Sequence, residues 1–169
     1  MLKKTLFKIT SLILLTTVIS CGIYSFTGGD TGNAKTIQID FFNNNAELIE
    51  PSLSQEFTIN LQDFFITQTN LNLVKSGGDL HFEGEISRYT ITPMSANADQ
   101  GASQNRLTIE FNVRFYNRTD ETKNFEKRFS HFYDYDANEI LQGTLLETAF
   151  EEVFERVNQN IFNASVANW

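Results

Sequence analysis

Alternating polar and apolar side chains mark four stretches of the chain as strands of a half-buried sheet. They cover residues 36–41, 80–87, 107–116 and 125–133. The third stretch is the most regular, because every second side chain along it is apolar. In the fourth, Lys127 interrupts the apolar face, which predicts an edge strand or a bulge there.

Two other stretches repeat their apolar residues at helical spacing. The first covers residues 53–69, and at its start Ser52 and Gln55 have the spacing of a capping box. The second, residues 141–165, carries glutamates along much of its other side. The apolar stripes comprise Leu53, Phe57, Leu61, Phe64 and Phe65 in the first helix and Leu145, Ala149, Val153, Val157 and Ile161 in the second.

The order of these elements, β-α-β-β-β-α, predicts an α+β fold. The first two strands flank a helix, so we expect them to be parallel, and the last three form an antiparallel meander. Two helices packed on one face of a four-stranded mixed sheet bury both apolar stripes. Turns are expected at residues 77–78 and 117–120, and a longer loop at residues 92–104, which is rich in small polar side chains.

The first twenty residues have the pattern of a signal peptide. Lys3, Lys4 and Lys8 form a basic start, and the apolar run over 9–19 is shorter than the roughly 20 residues that span a bilayer. Residues 18–21 resemble the bacterial lipobox, whose cysteine thiol takes a diacylglycerol.

We therefore expect a lipoprotein signal peptide over 1–20, a lipidated tether over 21–34 and one folded domain over 35–169. Lipidation is expected at Cys21, the only cysteine. Each buried CH₂ contributes about 0.8 kcal/mol, so two or three acyl chains anchor a protein stably.

Removal of the signal peptide leaves ten Lys and Arg against 21 Asp and Glu. This acidic balance argues against nucleic-acid binding, which needs a basic surface. Sixteen Phe residues predict an aromatic core instead.

Catalytic chemistry finds little support. Lipidation consumes the only thiol, and no Gly-x-Ser-x-Gly elbow accompanies the two histidines, so His131 is interpreted as a surface strand position. Glu83 and Glu85 share one polar strand face. Asp134, Asp136 and Asn138 are spaced like the start of a calcium loop but lack its glycine and closing glutamate. We predict no enzyme activity, no cofactor and no metal.

Several segments together resemble lipoproteins of the LptE family, in the form found in Bacteroidota. The opening Cys-Gly-x-Tyr-x-Phe stands at residues 21–26. Further matching pieces follow in the same order at residues 34–37, 42–44, 53–58, 78–86, 105–109 and 166–169.

The resemblance implies two helices on a four-stranded sheet and a non-catalytic role. LptE proteins are outer-membrane lipoproteins that plug the lumen of the LptD β-barrel, and the pair delivers lipopolysaccharide to the outer leaflet. In the family, the loop between the second and third strands enters the barrel. Here it maps to residues 93–104, with Pro93, Met94, Ser95, Asn97, Gln100, Ser103 and Gln104 as the plug-loop candidates.

Basic side chains contact lipopolysaccharide phosphates in the family, which here implies Arg88, Arg106 and Lys127. A structural ion pair is the alternative for each, and a flexible surface loop is the alternative for residues 93–104. The chain is expected at the outer membrane on its periplasmic side, because no acidic run follows Cys21. The remaining alternatives are a periplasmic lipoprotein that captures a glycan or peptide without a barrel, and a lipid-anchored hydrolase.

Overall fold

A computed structural model describes residue 29, residues 31–94 and residues 103–167. The expected signal peptide, Cys21, most of the tether and Trp169 lie outside these residues. The elements are β1 (Thr36–Ile39), β2 (Asn43–Asn44), α1 (Leu53–Gln68), β3 (Asn72–Leu73), β4 (Leu80–Met94), β5 (Gln104–Asn117), a 3₁₀ turn (Glu121–Lys123), β6 (Phe125–Asp136) and α2 (Thr144–Ser165).

The strands form one mixed sheet in the order β3-β1-β4-β5-β6, with β2 paired to β4 beside β1. β1 runs parallel to β4, with Ile37 opposite Leu80, whereas β4, β5 and β6 form an antiparallel meander. The predicted α+β class and strand directions are confirmed. The predicted strand count of four is wrong, since the sheet has six strands. β2 and β3 contain two residues each, too few to produce an alternating pattern.

Both helices cover the same face of the sheet, where phenylalanine rings join the two layers. The Phe57 ring of α1 stacks on Phe111 of β5 with centroids 4.0 Å apart, and it meets Phe154 of α2 at 5.4 Å. At the other end of α1, Phe65 lies 4.8 Å from Phe82 of β4. Each of these pairs contributes about 1 kcal/mol beyond its buried area, so the predicted aromatic core holds the helices to the sheet.

The helix starts differ from the predictions. Ser52 is the N-cap of α1, but its hydroxyl makes no capping bond and instead donates to the Glu50 carboxylate at 3.3 Å. The capping box is therefore absent. α2 begins at Thr144 rather than at residue 141, because Gly143 precedes it with a φ of 56°, a left-handed conformation that favours glycine.

β6 is the edge strand that the charge of Lys127 indicated. The register shift lies elsewhere, in β4 between Ile86 and Arg88. No helix within the described residues is long and apolar enough to cross a membrane.

Candidate functional site

The sheet face opposite the helices has no covering layer in the described part of the chain, and polar side chains line it. Along β5, the buried side chains from Leu107 to Phe115 face the helices, while Glu110, Asn112 and Arg114 point the other way. This alternation has the two-residue period by which the sequence predicted the strand. We call this surface the open face.

Cross-strand ion pairs hold most charges of the open face. Arg114 donates to Glu83 at 2.8 Å and to Glu85 at 3.1 Å, and these bonds raise its pKa. Arg128 of β6 lies 3.2 Å from Glu110. The shared polar face expected for Glu83 and Glu85 is confirmed. Their partner Arg114 was missed, because strand alternation does not reveal which residues stand opposite each other.

Arg106, one of the three expected lipopolysaccharide contacts, is engaged within the sheet. Its guanidinium donates two hydrogen bonds of 2.7 Å to the Asp134 carboxylate and lies 3.7 Å from the centroid of the Phe132 ring. The hydrogen bonds from Arg106 lower the pKa of Asp134. The structural ion pair that the sequence left open is thus present. Because both oxygens of Asp134 accept from Arg106, they are not available as calcium ligands.

Arg88 is exposed on the open face beside the register shift of β4. It stands opposite Glu110, but that carboxylate already accepts from Ser87 at 3.0 Å and pairs with Arg128. The Arg88 side chain has no ion pair within the described residues. Of the expected cations, it is the one on this face whose charge stays available to a ligand.

Lys127 lies on the other side of the sheet. It stands opposite the buried Val113 in the register of β5 and β6, and its ammonium is 5.0 Å from the centroid of the Phe125 ring. The three expected cations therefore do not converge on one site.

The β4–β5 hairpin runs further than the sequence predicted. Pro93 pairs with Asn105 and Met94 with Gln104, so three of the expected loop residues belong to strands. Pro93 is tolerated because no strand pairs with the outer edge of β4 at this level in the described residues. Ser103 accepts a hydrogen bond of 3.0 Å from the amide of Ala137. Ser95, Asn97 and Gln100 lie outside the described residues.

The end of the hairpin extends beyond the helical layer. All five residues from Thr90 to Met94 are exposed, on both faces of β4. Ile91 points to the helix side and is still 40% exposed, and Met94 is 38% exposed. The end of the hairpin is thus accessible on both faces to solvent or to a partner.

Neither histidine is hydrogen-bonded to a nucleophilic side chain in the described part of the chain. His81 contacts Gln38 and Asp40, and His131 stacks on Phe132 with ring centroids 5.3 Å apart. Among the described residues, no Ser or Thr hydroxyl is hydrogen-bonded to either ring.

A sequence model of a lipopolysaccharide-assembly family, LptE, matches residues 34–165. The chain belongs to the LptE family. Members of this family are non-enzymatic lipoproteins of the cell envelope that take part in lipopolysaccharide assembly. No curated protein sequence matches the chain.

The LptE-family chain is similar in fold to solved structures, at low sequence identity. It is similar to the hypothetical protein CT253 from Chlamydia trachomatis, with a TM-score of 0.54 and 10% identity over 80% of this chain and 99% of that one. A minor lipoprotein from Acinetobacter baumannii gives a TM-score of 0.47 and 10% identity over 79% and 97% of the two chains. At 10% identity, the likeness to CT253 shows the fold alone.

Proposed function

We propose that this LptE-family protein is an outer-membrane lipoprotein that plugs an LptD-type β-barrel and helps it deliver lipopolysaccharide to the outer leaflet. The anchor is a lipidated Cys21, and the domain lies on the periplasmic side. The family match supports the lipopolysaccharide-assembly role. The observation that carries the plug role is the β4–β5 hairpin, which extends past the helices.

The dimensions of the hairpin suit insertion. At about 3.3 Å per residue, the 15 residues of β4 span about 50 Å, whereas the 22 residues of α2 span about 33 Å. Residues 93–105 contain a single charge, Asp99. A narrow pair of strands joined by a polar segment with only one charge fits a confined, wet lumen, because at most that one charge is buried unpaired.

The open face supports the same role. Most of its arginines are paired with carboxylates within the sheet, so a barrel wall can approach and leave few isolated charges. Arg88 is the expected cation on this face that has no ion pair among the described residues, and we propose that it is the first contact for a lipopolysaccharide phosphate.

The test replaces residues 95–102 with a Gly-Ser segment of equal length, which keeps the Met94–Gln104 pair. The lipidated protein is then purified in detergent, and its co-purifying proteins are identified. We expect wild type to bring down a large β-barrel and the variant to lose it. A matched control replaces the exposed 3₁₀ turn Glu121–Lys123, between β5 and β6, with Gly and Ser, and should keep the barrel.

Two results would overturn the proposal. If wild type brings down no barrel, the protein works without one, as the glycan- or peptide-capturing alternative requires. If the 95–102 variant retains the barrel as well as the turn control does, the hairpin tip is not the plug.

A further inference from the structure

Three potential metal ligands meet on the open face, at the end of β4 away from the hairpin tip. They are Asp40, His81 and Glu83. The Nε2 atom of His81 is 2.8 Å from the Oδ2 atom of Asp40. One nitrogen and two carboxylate oxygens of this cluster all lie within 4.8 Å of one another. Ligands that share a single ion with bonds of about 2 Å each lie no more than about 4 Å apart, so side-chain rotations of less than about 1 Å bring these atoms into range.

The backbone holds these ligands in place. Gln38 of β1 pairs with His81 of β4, and the amide of Asp40 donates to the carbonyl of Phe82 at 2.9 Å. Glu83 follows His81 by two residues, on the same side of the strand. His81 and Glu83 therefore stand on a strand, and Asp40 follows β1 directly and is held to β4 by its backbone amide, which limits the reorganisation that binding needs.

The hydrogen bonds around His81 conflict. Its Nε2 atom contacts an Asp40 oxygen at 2.8 Å and the Gln38 side-chain nitrogen at 3.1 Å, and that nitrogen donates to Asp40 at 2.8 Å. Nε2 either carries a proton or accepts one, so in either tautomer only one of its two close contacts, to Asp40 or to Gln38, is a hydrogen bond. Turning the Gln38 amide over places its oxygen against the Asp40 carboxylate. A cation at Nε2 resolves the conflict, because nitrogen and oxygens then all face it as ligands.

The local charge suits a divalent cation. Asp40 lies 2.8 Å from His81 and forms no ion pair with a Lys or Arg among the described residues. Arg114 holds one oxygen of Glu83, and Glu85 balances the Arg114 charge. The carboxylates of Asp40, Glu83 and Glu85 thus face a single arginine, which leaves the cluster with a net negative charge. Arg114 orients the Glu83 ligand as an outer partner.

We propose that Asp40, His81 and Glu83 bind one divalent transition-metal ion, of which zinc is the best representative. One imidazole nitrogen and two carboxylates form a donor set that suits zinc, with water or the Gln38 oxygen completing four-fold coordination. A cleft of about 370 Å³, lined by His81, Glu83, Tyr116 and Arg118, gives the ion access from solvent. The ion ties β1 to β4, which otherwise share only three register pairs. The proposal does not depend on a barrel partner.

The test is a zinc titration of the mature lipidated protein in detergent at neutral pH, followed by calorimetry. We expect one zinc ion per chain and a rise in melting temperature. His81→Ala should weaken binding by about 100-fold or more, since losing even an outer-shell partner costs 10- to 100-fold. His131→Ala, which removes the other histidine, is the matched control and should bind as wild type does.

Asp40→Asn keeps the size and hydrogen-bonding capacity of the side chain and is the second variant. It should also weaken binding, with circular dichroism confirming that each variant is folded. In wild type, zinc should shift the ring-proton resonances of His81 and leave those of His131 in place. The proposal is overturned if wild type binds no zinc, if folded His81→Ala binds as wild type does, or if zinc shifts only His131.

Discussion

Gly84 occupies the tightest contact of the central strand, and replacing it with Ala tests the packing directly. The residue lies on the helix side of β4, opposite Val113. A Cβ atom built on it would lie 2.6 Å from a ring carbon of Phe42 and overlap the backbone oxygen of Asn112. Ordinary carbon contacts are about 3.5–4.0 Å, so both the ring and strand β5 have to move by about 1 Å relative to β4.

The expected cost follows from opposing effects. Ala stabilises by about 0.4–1 kcal/mol, because it restricts the unfolded chain more than Gly does. Overpacking of a filled core costs about 1–3 kcal/mol, and here one obstacle is backbone, which relaxes less than a side chain. Phe42 is fully buried and in edge contact with Phe57 at 5.1 Å, so it has little room to turn. We expect Gly84→Ala to lower the free energy of unfolding by about 2 kcal/mol.

The assay is urea denaturation of the mature protein in detergent, followed by circular dichroism. Ser130→Ala on the exposed side of β6 is the control and should change the free energy of unfolding by less than about 0.5 kcal/mol. Phe42→Leu combined with Gly84→Ala should recover part of the loss, because the smaller side chain removes one of the two obstacles. A Gly84→Ala variant as stable as the Ser130→Ala control would refute the close packing of Phe42 over this strand.

Three further outcomes are expected. Asn158 is fully buried, and its Oδ1 atom has no hydrogen-bond partner within the described residues, whereas its Nδ2 atom donates to the exposed Asn60 at 2.7 Å. Asn158→Leu removes the unpaired oxygen and leaves the Asn60 side chain to water, so it should raise the free energy of unfolding by about 1 kcal/mol in urea denaturation. A loss of that size would contradict this explanation. Burial raises the pKa of Tyr89 to about 12. The folded state thus holds this phenol proton more tightly than the unfolded state does. The stability that protonated Tyr89 contributes should therefore be lost as the pH rises from about 10 to 12. In an absorbance titration, Tyr89→Phe should abolish the last phase. Arg88→Ala should weaken binding of purified lipopolysaccharide more than Lys127→Ala does, because Lys127 lies on the opposite side of the sheet; equal effects in a pull-down would contradict that assignment.

The sequence predicted the elements whose side-chain periodicity is long enough to read. β5 and both helices each contain several repeats of their period, and the order β-α-β-β-β-α led to the parallel and antiparallel pairings. β2 and β3 were missed because two residues hold no period. The composition of the far end of β4 predicts a loop, because Pro93 and small polar residues are typical of loops. Pairing with β5 overrides this local preference.

The candidate site was less predictable, because it depends on contacts between residues far apart in the chain. Arg106 and Asp134 are 28 residues apart, and His81 and Asp40 are 41 apart. Alternation predicted which side of the sheet His81 and Asp40 occupy, whereas Arg106 and Asp134 lie just outside the predicted strands. For neither pair did it predict the neighbour on the next strand. Register determines those neighbours, and a one-residue shift between Ile86 and Arg88 changes them.

The most direct test of the plug role is a photo-cross-linking residue placed at Met94, at the end of the hairpin, in cells that make the lipidated protein. The matched position is Ile66 on α1, which is similarly exposed at 43% against 38% for Met94. We expect Met94 to cross-link to a protein of β-barrel size and Ile66 to do so far less. A hairpin position that forms no such product, in protein confirmed at the membrane, would contradict the proposed insertion into a barrel.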